Sequence, residues 1–143
     1  MFTPRSPRQL AIGAITILTL ACGSDAITRA PSIEGTYSLR TVNGAALPVT
    51  ISDTLNGVPT QYTFLAPSTF TLGADKSVRI ITTVRFVFGS INEVQTDTST
   101  GTYALSGQLV TFSQPGSTSF TAAWNGSDML TIADDGAVFV FRK

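Results

Sequence analysis

The chain runs to 143 residues and carries nine basic and nine acidic side chains, one cysteine and no histidine. Without histidine, histidine-based triads and most zinc sites are excluded, and without a basic excess there is no face for nucleic acid. A single cysteine also rules out an intramolecular disulfide.

Arg5 and Arg8 open the chain as a small basic leader, and Leu10 to Ala21 follow without a charge. Crossing a bilayer as a helix takes about 20 apolar residues, so a run of roughly a dozen is too short for a permanent anchor. A positive start, a short apolar core and a small residue at its end describe an export signal, here a helical segment over 1–21 cut between Ala21 and Cys22. The run Leu18-Thr19-Leu20-Ala21-Cys22 resembles the lipobox of bacterial lipoprotein signals. That resemblance implies that Cys22 is lipidated, with a diacylglyceryl thioether and an N-acyl chain such as palmitate, and becomes the new N-terminus. Each buried methylene of such chains contributes about 0.8 kcal/mol, so several chains together hold a protein on a bilayer almost irreversibly. No thiol then remains for catalysis or metal binding. Gly23 after the cysteine, where aspartate would favour the inner membrane, implies an outer-membrane location facing the periplasm. The alternative is an ordinary secretory signal beside an incidental cysteine.

Residues 22–32 hold the cysteine and a small, polar, proline-containing stretch that reads as a flexible tether. Residues 33–143 are enough for one domain with a real core. Their pattern has period two. In SVRIITTVRFVF, Val78, Ile80, Thr82, Val84, Phe86 and Phe88 share one face, and both arginines, Arg79 and Arg85, fall on the other. That is a half-buried strand rich in the β-branched and aromatic residues that suit a pleated surface. No helical stripe follows the leader.

Turn pairs divide the domain at short intervals: Asn43-Gly44, Asn56-Gly57, Gly89-Ser90, Ser106-Gly107, Asn125-Gly126 and Asp135-Gly136. Such pairs supply positive φ cheaply, as tight hairpins require. The expected strands are 34–42, 46–54, 60–66, 69–73, 77–88, 91–105, 108–113, 118–124, 128–133 and 136–142, some of them joined across a bulge. Tight turns make neighbours antiparallel. The fold class is therefore all-β, an up-and-down meander of about eight strands closed into a barrel, since closure removes both exposed edges. A β-sandwich is the alternative.

The first strand opens Gly35-Thr36-Tyr37 and the last ends Phe141-Arg142-Lys143. This resembles the lipocalin-like, or calycin, barrels, which place Gly-x-Trp on the first strand and an arginine on the last. The resemblance implies that Gly35, Tyr37 and Arg142 close the barrel floor, with Arg142 stacked on Tyr37, which stands at the tryptophan position. The order GTYSLRTVNGAALP, GTYALSGQLVTF, LTIADDGAVFVFRK likewise resembles the small lipocalin-like domains of bacterial lipoproteins.

Chemistry beyond binding finds little footing. Lys76 lies in a turn and Lys143 ends the chain, so neither is placed for the depressed pKa a lysine base needs. Of Glu34, Asp53, Asp75, Glu93, Asp97, Asp128, Asp134 and Asp135, most read as solvated turn or outer-face carboxylates, and Asp134-Asp135-Gly136 as a hairpin and not a calcium loop. No catalytic residue, metal ligand or cofactor is expected. The inward set comprises Tyr37, Leu39, Phe64, Phe70, Leu72, Val84, Phe86, Phe88, Tyr103, Leu105, Phe112, Phe120, Trp124, Leu130, Ile132 and Val138. Phe64, Phe86, Phe88, Tyr103, Phe120 and Trp124 are the candidate contacts for a small hydrophobic ligand. The same rings could instead fill the barrel. A non-catalytic structural or protein-interaction module of the cell envelope therefore stays open beside a binding protein.

Overall fold

The computed structural model describes residues 30–143. The expected signal segment, Cys22 and most of the tether lie outside that range. The strands are β1 (Gly35–Val42), β2 (Ala45–Ala46), β3 (Val49–Leu55), β4 (Val58–Leu72), β5 (Ser77–Phe88), β6 (Ile91–Ser106), β7 (Leu109–Ser113), β8 (Phe120–Trp124), β9 (Met129–Asp134) and β10 (Ala137–Arg142). From β4 to β10 each strand pairs antiparallel with the next, β10 pairs with β1, and β1 pairs with β4. This closes an antiparallel barrel of eight strands with meander topology. The sandwich alternative falls.

The turn chemistry explains the reversals. Asn43-Gly44, Asn56-Gly57 and Asp135-Gly136 each hold both central residues at positive φ, between 43° and 80°, the twist that two-residue hairpins need. Two expected strands, 60–66 and 69–73, are one: β4 continues through a register shift between Leu65 and Thr69. The expected strand 46–54 is instead split at Leu47-Pro48 into β2 and β3.

β4 is longer than its partners, and that length shapes the molecule. Its end, Thr69–Leu72, pairs with Gly35–Ser38 of β1, whereas its beginning, Val58–Phe64, pairs with β3. β6 divides its partners similarly, meeting β5 along Ile91–Thr102 but β7 only over Thr102–Ser106. The barrel is thus complete at one end, and β3 to β6 rise past it as a four-stranded wall.

The closed end is packed solid. Tyr37, Val42, Val110, Phe112 and Leu130 have no solvent exposure. Phe70 forms the centre of a cross-barrel cluster, with ring centroids 4.8 Å from Phe141, 5.2 Å from Phe112 and 6.2 Å from Phe120. Among the described residues, the buried apolar side chains run from Ile33 to Phe141 and form one cluster.

Two members of the expected inward set are exposed. Val138 opposes Ala133 on the outer face, and the inward residues of β10 are Phe139 and Phe141. Leu105 opposes buried Val110 but lies at the rim, with 38% of its surface in solvent. One outward residue is buried: Thr83, opposite Leu65, is covered by the β4 bulge. Its backbone N–H donates to Ser68 Oγ at 3.0 Å, and its hydroxyl donates to the Pro67 carbonyl at 2.6 Å.

Candidate ligand-binding site

The floor brings Gly35, Tyr37 and a cation together, but the cation is Lys143. Its Nζ lies 4.9 Å from the centre of the Tyr37 ring and donates to the Ser32 carbonyl. Arg142 points away and pairs with Asp128 at 3.1 Å, both side chains about half exposed. Strand alternation accounts for the correction. Phe141 is buried against Leu130, so Arg142 must face outward and the next residue inward. Gly35 has a φ of +127°, and a Cβ there would touch the Lys143 side chain.

Burial pushes the Tyr37 hydroxyl up to about 12, with neighbouring Trp124 offsetting part of the effect, and that hydroxyl donates to the Ile33 carbonyl at 2.7 Å. Contrary to the expectation from its place at the end of the chain, Lys143 is partly desolvated, which lowers its pKa against the pull of Glu34 and Asp128.

Tyr103 and Trp124, expected at a ligand, belong to this packed end. The Tyr103 hydroxyl donates to the Gly73 carbonyl at 2.9 Å, and Lys76 Nζ stands 5.2 Å from its ring centre. The Trp124 indole donates to the Ser127 carbonyl at 3.3 Å. Neither lines an opening.

The other four candidates lie higher. Phe64 and Phe120 border a cavity of about 310 Å³ whose base is Phe70, Ile80 and Phe141. Above it the wall carries half-buried Ile51, Tyr62, Phe64, Val84, Phe86 and Phe88 on its concave face. Tyr62 and Phe86 rings lie 5.4 Å apart, Phe86 and Phe88 stack at 6.1 Å, and Phe64 meets Phe139 edge-on at 5.1 Å. Two further cavities, of about 340 and 570 Å³, line this wall and share Tyr62, and through Thr82, Phe64 and Phe139 they adjoin the lower one. The barrel is therefore filled below and open above, an aromatic cup on a solid floor.

The charged groups that border the cup are all acidic. Asp97 and Gln95 border the cup from β6, Asp53 from β3, and Asp134 and Asp135 from the β9–β10 hairpin. These acids were expected on turns and outer faces. Register places Asp134 inward, because it opposes Ala137 and so shares its side with Ile132 and Leu130. Among the described residues no three potential metal ligands gather to hold an ion.

No protein-family model, curated protein or solved structure matches the chain. Sequence reasoning missed Tyr62, Ile51 and Phe139 as cup residues. For Phe139 the signal was present in the alternation Phe139-Val140-Phe141, once Phe141 is known to face inward.

Proposed function

We propose that the protein is a lipid-anchored cell-envelope protein whose lipocalin-like barrel binds a small hydrophobic molecule without transforming it. The observation that carries the reading is the cup. Aromatic rings stand only partly buried around cavities of about 310 to 570 Å³ that share lining residues, the range in which small-ligand sites fall.

The deciding experiment is native mass spectrometry on residues 23–143, purified gently from the native host and compared before and after delipidation. A stoichiometric adduct lost on delipidation supports the binding role, whereas a clean apo mass with no uptake of a fluorescent lipid probe rejects it. The anchor is tested separately. A palmitate analogue fed to cells should label the full chain and not its Cys22→Ala variant, and the labelled form should fractionate with outer membranes.

One observation favours a second reading, an envelope protein-interaction module. Residues 91–101 of β6 have β5 on one side and no strand on the other. An extended segment of an envelope protein could add there by main-chain hydrogen bonds.

A further inference from the structure

The concave face of the wall combines aromatic rings with carboxylates and excludes positive charge. Asp53, Asp97, Asp134 and Asp135 border its cavities, and Glu93 opposes Phe86 in register on the same side. No lysine or arginine lines any of these cavities. The six cations among the described residues all lie elsewhere. Arg79 and Arg85 stand on the opposite face of β5, and Arg40 is exposed at the β1 bulge. Lys76 covers Tyr103, Lys143 covers Tyr37, and Arg142 pairs with Asp128. None of the cup's acids has a basic partner, the one ion pair among the described residues being Arg142 with Asp128.

From this charge complementarity we infer that the cup takes a lipophilic cation, an amphiphile with an apolar body and an ammonium or other cationic head. The inference rests on the reading of the cup as a binding site and names its class of occupant. The body fills the lower cavity over Phe70 and Phe141. The head lies among Tyr62, Phe86 and Phe88, whose ring faces carry negative quadrupole charge and attract cations. Asp97, Asp53 and Asp134 around them supply opposite charge without converging into a metal site. A fatty carboxylate in the same place would meet only like charge and no donor cation, a juxtaposition that selects against it.

The test is calorimetric titration of residues 23–143 with three eight-carbon probes, octyltrimethylammonium, octanol and octanoate, the ionic two below their micellar concentrations and octanol below its solubility limit. The ammonium probe is expected to bind about tenfold or more tighter than the other two, and this preference should shrink as salt rises. Asp53→Asn and Asp97→Asn combined should reduce binding of the ammonium probe more than binding of octanol. Asp75→Asn, on a loop at the closed end, should change nothing. Phe86→Leu keeps apolar bulk but removes the ring, and should weaken the ammonium probe more than octanol. Equal binding of all three probes, or a preference for octanoate, overturns the cation inference and leaves the hydrophobic-binder reading standing. Binding by none of them overturns both.

Discussion

Lys143 covers the Tyr37 ring at 4.9 Å, and the main chain of Ser32 in turn holds the lysine. The chain's last residue is thereby tied to the segment that leads into β1, sealing the closed end of the barrel. Lys143→Ala should lower unfolding free energy by about 0.5 to 2 kcal/mol, the value of a partly desolvated cation–π contact. Arg142→Ala removes only a half-exposed pair with Asp128, so it should cost less than about 1 kcal/mol. Urea denaturation of both variants ranks them. The reverse order would restore Arg142 as the closing cation.

Alkaline pH should destabilise the barrel through Tyr37. Its hydroxyl titrates near 12 in the fold against 10.0 for an unperturbed tyrosine, so the folded state holds the proton more tightly. The resulting stability is complete below pH 10 and lost as pH rises toward 12, amounting to about 2 to 3 kcal/mol at most. Lys143 runs the other way, since its pKa lies below the unperturbed 10.5, so Tyr37→Phe is the comparison that isolates the tyrosine. Chemical denaturation at stepped pH should show a steep alkaline loss in the parent chain and a shallower one in Tyr37→Phe.

Two hydroxyls, those of Ser68 and Thr83, hold the β4 bulge. Ser68 Oγ accepts from the Thr83 N–H at 3.0 Å and donates to the Leu65 carbonyl at 2.8 Å, with Ser68 only 4% exposed. Ser68→Ala leaves a buried donor and acceptor without partners, costing about 1 to 3 kcal/mol. Thermal unfolding should fall accordingly, and the Thr83 amide should exchange faster than its neighbours in β5. Unchanged exchange at Thr83 would mean the bulge is held by other contacts.

Floor and cup should respond differently to the same truncation. Phe112 is fully buried between Phe70 and Phe120, so Phe112→Ala should cost about 3 to 5 kcal/mol. Phe86 is only partly buried, and Phe86→Ala should cost less than Phe112→Ala because less of its area is removed from water on folding. Ligand uptake should show the opposite order among variants that remain folded.

Much of this architecture is legible in the sequence, for local reasons. The alternation Val78 to Phe88 fixes which β5 residues share the interior, and Asn-Gly and Asp-Gly pairs fix where the chain reverses. The two GTY openings show where local reading stops. Gly35 is required by its φ of +127°, whereas at Gly101 a Cβ would run into the Ser113 carbonyl of β7. The same three letters answer different constraints because the constraint comes from a neighbour distant in the chain.

By itself, the sequence determined strands, turns, antiparallel order and closure, because period-two burial and positive-φ turn residues act within a few residues of one another. Only the tertiary structure decided that β4 and β6 outrun their barrel partners. Strand length is local, but the partner an edge finds is not. From that mismatch follow the raised wall, the open cup above a filled floor, and the inward turn of Asp134. The same dependence on register gave the floor Lys143 and sent Arg142 to the surface, since a one-residue step along a strand exchanges core for solvent.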